Sequence, residues 1–392
     1  MPHAVSPARL QDLLATLVAI NSVNPTLAGE AAADAPGEAD LADVVASEMR
    51  AIGLEVERWE AAPGRPNVVG VLRGTGGGRS LLLNAHMDTV GVAGMDAPFE
   101  PVVRNGRMYG RGTQDMKASL AAHLEAARLL ADAETRLAGD LIVAAVSDEE
   151  HKSVGTEALV ERYPADGAVV TEPTDMNLAI AHKGFVWVDI ETHGRAAHGS
   201  RPDEGIDANM HMGRVLAELD ALNRSLQNEA HPLLGVRSLH AGRLHGGDEP
   251  SVYTARCRLR MERRTLPGDT PDGVLAEVNA ILERLAAADD TFRATAEVVF
   301  HRDPLQTPSD APIAEAVRQS TATVLGTPAP DTGASFWTDA ALHAAAGTET
   351  VVIGPVGDGL HTTEEWVDLD SVANLARVLV ETAQRYCGTA SA

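Results

Sequence analysis

Histidine and carboxylate residues in five short stretches of this chain have the types and spacing needed to hold a divalent metal ion. Four of the stretches directly follow apolar runs that predict buried strands, so their side chains are expected at one edge of a sheet. Imidazole and carboxylate ligands grouped in one place are typical of zinc, cobalt or manganese sites. The candidate residues are His86, Asp88, Asp115, Glu149, Glu150, Glu172 and His361.

Two of these stretches carry a spacing argument of their own. His86 and Asp88 are two residues apart at the end of an extended run, which places both side chains on one face. Asp88 is therefore expected to accept the second ring N–H of His86 and to fix its tautomer. Glu149 and Glu150 are adjacent, so their side chains point apart, and the two cannot both be ordinary ligands of one ion. The pattern predicts that one binds metal and the other faces a substrate as a base.

Taken singly, each stretch has an ordinary structural explanation; Asp148-Glu149-Glu150, for example, is typical of a solvated turn or a helix N-terminus. Their order and their shared placement at strand ends favour a site instead. His123, His211 and His343 fall within predicted helices and are expected to be structural.

Alternating strand and helix patterns place the candidate residues in a mixed α/β fold. Strands are predicted at 55–60, 67–73, 80–85, 141–146, 167–171 and 350–353, and helices at 10–20, 38–52, 116–132, 311–325 and 369–386. This alternation predicts a mostly parallel sheet with helices on both faces. Residues 24–37, rich in Pro, Gly and small residues, are predicted to be a loop.

The pattern changes near residue 182. Strand-like runs at 184–192, 251–262 and 294–301 alternate with predicted helices at 207–222 and 271–287. This arrangement predicts a smaller α+β domain at 182–301, inserted into a discontinuous catalytic domain formed by 1–181 and 302–392.

The composition excludes several classes of protein. Of the 392 residues, 32 are basic and 56 acidic, and the net charge of −24 argues against binding to nucleic acid or to an anionic membrane. Two distant cysteines exclude a disulfide scaffold and a thiolate zinc site. No apolar run is long enough to span a membrane, and no secretory signal is recognisable. A cytoplasmic enzyme is expected.

These motifs together resemble the dinuclear zinc amidohydrolases that include acetylornithine deacetylase, succinyl-diaminopimelate desuccinylase, aminoacylase and glutamate carboxypeptidase. The resemblance covers nearly the whole chain, from Ile20-Asn21-Ser22-Val23-Asn24-Pro25 to His361-Thr362-Thr363-Glu364-Glu365. It implies two divalent cations per chain, expected to be zinc, with cobalt or manganese as alternatives. His86, Asp115 and Glu172 would hold one cation, and Asp115, Glu150 and His361 the other. It also implies that Glu149 is the general base, that Asp88 orients His86, and that Asp115–Met116 is a cis peptide.

The inserted domain carries its own part of the resemblance. Gly194-Arg195-Ala196-Ala197-His198-Gly199-Ser200-Arg201-Pro202 is similar to the histidine motif of the family's lid domain. The resemblance implies that His198 stabilises an oxyanion, and that the chain forms a homodimer through the lid. Arg264 matches an arginine that would bind a substrate carboxylate.

The expected reaction is therefore metal-dependent hydrolysis of the amide bond of an N-acyl-amino acid, with Glu149 as general base. Three alternatives remain open: a metallo-exopeptidase acting on dipeptides or short peptides, a metal-binding protein without turnover, and a serine or cysteine hydrolase. The sequence lacks a GxSxG motif, and neither Cys257 nor Cys387 lies in a nucleophile motif, which disfavours the last of these.

Overall fold

The structure, a computed structural model, describes residues 5–27, 37–92 and 94–390, so that much of the predicted loop at 24–37 lies outside the described residues. The chain forms two compact units. The first comprises the described residues up to Ile180, Thr307–Thr332 and those from Thr338 onward, and the second comprises Ala181–Gln306 and Gly333–Trp337.

The helices of the described residues are α1 (Pro7–Val18), α2 (Ala39–Ile52), α3 (Ala118–Ala131), α4 (Val154–Arg162), α5 (Ala208–Ser225), α6 (Pro271–Ala288), α7 (Pro312–Leu325), α8 (Ala340–Ala345) and α9 (Leu369–Cys387), with shorter helical turns at Thr113–Lys117 and Leu226–Asn228. The strands are β1 (Glu55–Ala62), β2 (Arg65–Leu72), β3 (Leu81–His86), β4 (Val102–Arg104), β5 (Arg107–Tyr109), β6 (Leu141–Val146), β7 (Gly167–Val170), β8 (Leu178–His182), β9 (Gly184–His193), β10 (Ala230–His231), β11 (Gly235–Val236), β12 (Ser238–Gly246), β13 (Arg256–Thr265), β14 (Arg293–Arg302), β15 (Leu305–Gln306), β16 (Asp331–Ala334), β17 (Glu349–Val352), β18 (Gly357–Asp358) and β19 (Trp366–Asp368).

The largest sheet has the strand order β1-β2-β6-β3-β7-β17-β8-β15, with β16 paired to β8. Its four central strands, β6, β3, β7 and β17, run parallel. Outside them, β2 pairs antiparallel with β6, and β8 pairs antiparallel with β17. The predicted mixed α/β fold with a mostly parallel central sheet is confirmed, and the antiparallel edges add to it.

The central strands are buried because helices cover both faces of this sheet. Every residue of β3, β6 and β7 is buried. On one face, Leu159 of α4 packs with Val69 and Ile142. On the other, Gly70 lies against the sulfur of Met49 in α2, where an added Cβ would come within 2.9 Å. Strands buried on both faces show no alternation, which is why they read as continuous apolar runs.

Two helix boundaries show what local sequence decides. Helix α2 ends at Ile52, the last residue of the predicted range 38–52, and its C-cap Gly53 adopts a left-handed φ of 93° that suits glycine. Helix α3 begins at Ala118, two residues later than predicted, because Asp115 and Met116 have non-helical backbone angles and are joined by a cis peptide bond. The predicted cis bond at Asp115–Met116 is thus present.

The second unit contains an antiparallel sheet in the order β12-β13-β9-β14. Helices α5 and α6 supply Val215 and Val278 to a core with Val188 and Leu259 of the sheet. The strand predicted at 251–262 is wrong in its bounds, since β13 spans Arg256–Thr265. Strand β12 was not predicted, because it is mostly exposed and lacks an apolar alternation. Among the described residues, no helix is long and apolar enough to cross a membrane.

A small sheet in the order β18-β19-β5-β4 was also not predicted. Its strands are only two or three residues long, too short for a periodic pattern. Pairing of Tyr109 with Trp366 joins the segment before Asp115 to the segment after His361. This sheet therefore brings together two stretches that carry candidate site residues.

Candidate metal centre

The carboxyl ends of the parallel strands bring candidate ligands together, as the sequence predicts. His86 is the last residue of β3, Glu150 follows β6, Glu172 follows β7, and His361 lies in the segment after β17. Asp115, from the turn before α3, joins them. The five residues form two groups whose ligand atoms lie within 4.8 Å of one another: His86, Asp115 and Glu172, and Asp115, Glu150 and His361.

The first group is buried. His86 Nε2 lies 3.0 Å from Asp115 Oδ1 and 3.6 Å from Glu172 Oε1. The other ring nitrogen, Nδ1, lies 2.8 Å from the backbone carbonyl oxygen of Asp88 and donates to it. With the ring proton held at Nδ1, the lone pair of Nε2 points at the two carboxylates. The lone pair and the two carboxylate oxygens are all electron donors, so a cation bound between them would satisfy all three.

The second group uses the other oxygen of the same aspartate. His361 Nε2 lies 3.2 Å from Asp115 Oδ2 and 3.3 Å from Glu150 Oε2. Asp115 therefore offers Oδ1 to one group and Oδ2 to the other, the arrangement that lets one carboxylate bridge two ions. The side chain of His361 is half exposed, so the second group is open on one side.

The charges of the site fit a cation. Burial raises the pKa of Glu172 well above its ordinary value, and the carboxylate of Asp115 raises it further. The same carboxylates favour a positive charge beside them, since hydrogen bonds to Asp115 and Glu150 raise the pKa of His361 to about 10. Within the part of the chain that the structure describes, Glu150 Oε1 is buried and has no hydrogen-bond partner. Buried carboxylates are normally paired or bound to metal, so the donor set fits divalent cations well.

Glu149 lies beside these groups and belongs to neither. Burial raises the pKa of Glu149 well above its ordinary value, the carboxylate of Glu172 adds to this, and His86 opposes it. Its neighbour Glu150 belongs to the second group, so the two adjacent carboxylates do take separate places, as their alternation predicts.

Asp88 differs from the sequence expectation in one respect. Its backbone carbonyl, and not its carboxylate, accepts the Nδ1–H of His86; the nearest carboxylate oxygen is 3.7 Å away. The carboxylate instead accepts the backbone N–H groups of Glu149 and Glu150, each at 3.1 Å, and the amide of Asn24 at 2.8 Å. Asp88 thus fixes the tautomer of His86 with its main chain and holds the two glutamates with its side chain.

Glu365 is a functional candidate that sequence reasoning missed. Its buried carboxylate accepts the backbone N–H groups of Gln114 at 2.8 Å and Asp115 at 3.1 Å through Oε1. Through Oε2 it binds Arg111 at 2.8 Å, and the same guanidinium donates to the carbonyl of Thr362. Glu365 therefore holds the backbone of the bridging aspartate to the segment that carries His361. Nothing in the sequence separates it from its exposed neighbour Glu364.

Asp339 is a second residue that was missed. It is fully buried in an alanine-rich stretch without any sequence pattern, and its Oδ2 accepts the hydroxyl of Thr156 at 2.5 Å. Burial raises the pKa of Asp339 to about 6. Its charge also acts to raise the pKa of Glu149.

The three histidines expected to be structural belong to neither group. His123 Nε2 pairs with the hydroxyl of Thr171 at 2.8 Å, and His343 Nε2 with the amide of Asn84 at 2.8 Å. The ring of His211 packs against that of Phe292, with centroids 5.1 Å apart.

The remaining predicted site residues, His198 and Arg264, lie in the second unit. His198 is exposed, and its Nδ1 pairs with the hydroxyl of Ser200 at 2.8 Å. Arg264 Nε donates to Glu262 at 2.7 Å, and its guanidinium lies 5.3 Å from the ring centroid of Phe185. Both residues are thus held by neighbours in their own unit.

Comparison with known proteins shows the family to which the chain belongs. The family model described as Peptidase family M20/M25/M40 matches residues 82–385. An acetylornithine deacetylase of Myxococcus xanthus is 31% identical over 366 residues, which cover 89% of this chain and 92% of the relative. An N-formyl-4-amino-5-aminomethyl-2-methylpyrimidine deformylase of Bacillus subtilis is 30% identical over 269 residues, 64% of this chain and 63% of the relative.

Solved structures share the fold. The aminopeptidase PepT of Bacillus cereus superposes with a TM-score of 0.82 at 21% identity, covering 97% of this chain and 99% of that one. The YXEP protein of Bacillus subtilis, described as a dinuclear metal-binding peptidase from the M20 family, has a TM-score of 0.74 at 14% identity, covering 96% and 97%.

Proposed function

The chain belongs to peptidase family M20/M25/M40 and is a metal-dependent amidohydrolase, and on that premise we propose that it removes the acyl group from an N-acyl-amino acid. The observation that supports this most directly is the bridging position of Asp115 between two three-residue groups, with Glu149 beside them. The similarity to an acetylornithine deacetylase over most of both chains favours an acyl-amino acid as the substrate.

Each ligand has a proposed place in the site. His86, Asp115 and Glu172 hold one divalent cation, and Asp115, Glu150 and His361 hold the other. Zinc is the metal we propose, because two imidazoles with carboxylates form a donor set that suits it, although the same set accepts cobalt or manganese. When bound, such cations lower the pKa of water and polarise the substrate carbonyl group.

The chain's own residues then move the proton. Glu149 takes a proton from the attacking water and passes it to the leaving amine nitrogen, acting first as base and then as acid. Asp88 holds the backbone N–H groups of Glu149 and Glu150 and so fixes the base relative to the ligands. Asp88 is in this sense a positioning residue.

For the second unit, residues 182–301 in the sequence prediction, we propose the role of a lid. His198 would donate a hydrogen bond to the oxyanion that develops on the substrate carbonyl. Arg264 would bind the substrate carboxylate, for which its planar guanidinium is suited. A homodimer through this unit is also part of the proposal, and sedimentation equilibrium of the purified protein tests it.

The test of the proposed function is hydrolysis of a panel of N-acetyl-amino acids, N-succinyl-diaminopimelate and dipeptides by metal-loaded protein, with chelated protein as the control. Chelator-sensitive release of one amino acid from an acyl-amino acid is the expected result. Cleavage of dipeptides alone would show that the protein is an exopeptidase and not a deacylase. Binding of metal without cleavage of any compound would contradict both substrate classes.

A further inference from the structure

Three successive backbone N–H groups at the site donate to carboxylates from other parts of the chain. The N–H of Asp148 donates to Glu38 Oε1 at 3.2 Å. Those of Glu149 and Glu150 donate to the two oxygens of Asp88, each at 3.1 Å. The backbone of residues 148–150 is therefore held by Glu38 and Asp88, and the side chains of Glu149 and Glu150 remain available to the site.

A single arginine joins the groups that hold this segment. Arg65, the first residue of β2, donates through one terminal nitrogen to Glu38 Oε1 at 2.8 Å. Its other terminal nitrogen lies 2.9 Å from Asn24 Oδ1 and 3.2 Å from Asp148 Oδ1. Asn24 in turn donates to Asp148 Oδ1 at 3.0 Å and to Asp88 at 2.8 Å. We call Asn24, Glu38, Arg65 and Asp148 the clamp.

The backbone at Asp148 needs to be held. Its φ is +69°, in the left-handed region, which residues with a side chain adopt much less often than glycine. The carbonyl of Asp148 also accepts the N–H groups of Lys152 at 3.0 Å and Ser153 at 2.6 Å, which closes a turn. Release of the Asp148 side chain would allow this turn to relax and would move Glu149 and Glu150 with it.

The clamp is buried and charged. Its acids Glu38 and Asp148 are buried, as is Asp88, to which Asn24 of the clamp donates, and the side chain of Arg65 is only 12% exposed. Burial and the charge of Asp88 raise the pKa of Glu38 to about 7, and Arg65 opposes this. A buried ion network of this kind adds little net stability, so its presence next to the site calls for another explanation.

We propose that Arg65 is a positioning residue for the amide-hydrolysing site: through Glu38, Asn24 and Asp148 it fixes the backbone from which Glu149 and Glu150 project. The proposal rests on the proposed function, in which Glu149 is the base and Glu150 a ligand. The hydrogen bonds and ion pairs of Arg65 go to Glu38, Asn24, Thr26 and Asp148, none of which is a proposed ligand. Its effect on turnover passes through the conformation of residues 148–150, and a misplacement of about 1 Å is enough to cost about 10²-fold in rate.

The alternative is that Arg65 only neutralises buried acids. The two explanations differ for a pair of variants, Arg65→Met and the double variant Glu38→Gln/Arg65→Met. The double variant removes one buried charge of each sign and keeps a carbonyl oxygen at position 38 for the N–H of Asp148. It should regain much of the melting temperature lost by Arg65→Met, because no uncompensated Glu38 charge remains. It does not restore the contact of Arg65 with Asp148.

The experiment compares these variants with wild-type protein and with Arg73→Met. Arg73 is the matched control, because it directly follows the same strand, pairs with Glu55 at 2.8 Å and Asp140 at 2.7 Å, and is more than half exposed. For each protein we would measure metal content, kcat and KM on the best substrate of the panel. Hydrogen exchange of the amides of 148–150 would be followed in both the metal-loaded and the chelated protein.

We expect Arg65→Met to lower kcat by about 10- to 100-fold with KM changed by less than about threefold. Exchange at 148–150 should be faster by about tenfold or more, even in the chelated protein. The double variant should keep the low kcat and the fast exchange. Arg73→Met should match wild type in both.

Two results would overturn the proposal: wild-type kcat and exchange in a folded Arg65→Met protein, or full recovery of both in the double variant. The second result would show that Arg65 serves only charge balance. If wild-type protein cleaves nothing on the panel, the proposed function fails. The exchange of 148–150 in the chelated variants then decides by itself whether Arg65 holds this segment.

Discussion

At the residue scale, the roles of the two adjacent glutamates are separable by chemistry. Glu150 Oε2 lies 3.3 Å from His361 Nε2 and belongs to a ligand group, whereas Glu149 belongs to none. Both depend on Asp88, whose carboxylate accepts their backbone N–H groups. Substitution of one glutamate should therefore affect proton transfer, and substitution of the other should affect metal binding.

Glu149→Gln should keep two metal ions per chain and lose turnover by about 10²–10⁴-fold, because an amide cannot accept the proton of the attacking water. Metal content by elemental analysis, together with kcat, checks this. Glu150→Gln provides the contrast, since it should lose metal as well as activity. Wild-type turnover by Glu149→Gln would contradict the role of Glu149 as base.

Glu365→Ala should weaken metal binding by about 10- to 100-fold, because the N–H groups of Gln114 and Asp115 lose the carboxylate that orients the bridging ligand. Titration with a competing chelator measures this affinity. Glu364→Ala is the matched control, an exposed glutamate at the adjacent position. Equal metal affinity in the two variants would refute the role given to Glu365.

His343 provides a pH dependence with a definite sign. Burial lowers the pKa of His343 from 6.5 to about 4. Between these values the unfolded chain binds a proton that the folded chain does not, so the free energy of unfolding contributed by this group falls as the pH falls. From pH 7 to pH 5 the loss should be about 2 kcal/mol.

Denaturant unfolding of chelated wild type and His343→Gln at the two pH values checks this dependence on His343. The variant lacks the titrating group. The free energy of unfolding of wild type minus that of His343→Gln should therefore be smaller at pH 5 than at pH 7, by about 2 kcal/mol. The exposed His240→Gln serves as the control. A constant difference between wild type and His343→Gln would show that His343 does not carry the effect.

At the element scale, the close approach of α4 to the end of β6 shapes the segment that carries Glu149. Gly155, in the first turn of α4, lies so near this strand end that an added Cβ would be 2.4 Å from the carbonyl oxygen of Ser147 and 2.6 Å from its nitrogen. These neighbours are backbone atoms of a buried segment and cannot move aside freely. The path from strand to helix therefore requires glycine at this position.

Gly155→Ala should accordingly destabilise the protein by about 1–3 kcal/mol and reduce turnover, because the helix must move away from the strand end. Gly213→Ala is the matched control: it lies inside α5, and an added Cβ there meets no atom within 4 Å. That change should be neutral or stabilising by about 0.5–1 kcal/mol. Urea unfolding of both proteins measures the difference, and equal stability of the two would contradict the contact argument.

At the scale of the whole molecule, we expect the site to couple metal binding to stability. Its ligands come from segments between His86 and His361, and the bridging Asp115 faces both groups. Cations that bind this arrangement in the folded chain, and not in the unfolded one, shift the folding equilibrium. The first unit should therefore lose stability when the metals are removed.

Chelation should lower the melting temperature of wild-type protein, and readdition of zinc should restore it. At about 100 times its dissociation constant, each bound ion contributes about 2.7 kcal/mol. Asp115→Ala, which removes the shared ligand, should melt at a temperature that does not depend on chelator. If neither chelator nor zinc changes the melting temperature of wild-type protein, the proposed metal centre is contradicted.

The sequence pattern was enough to predict much of the fold and the polar stretches that meet at the sheet edge, whereas the division of the ligands into two groups came from the family resemblance. The central strands are apolar throughout because both faces of the sheet are covered. Polar stretches that follow such strands must meet at one edge, because parallel strands end on the same side. The separate placement of Glu149 and Glu150 followed from the alternation of neighbouring side chains. The edge strand β12 was missed because it is exposed and has no such pattern.

Only the tertiary structure decided which groups hold the ligands in place. Glu365 reaches the N–H of Asp115 across 250 residues of chain, and Asp148 reaches Asn24 across 124. The ring Nδ1–H of His86 donates to the main-chain carbonyl of Asp88, whereas the sequence suggested the carboxylate of Asp88. The type of a residue shows that it can accept a hydrogen bond, but not whether it folds inward or which donor it meets. Those partners are set by the packing of distant segments, because a buried polar group bonds to whatever donor the fold brings to it.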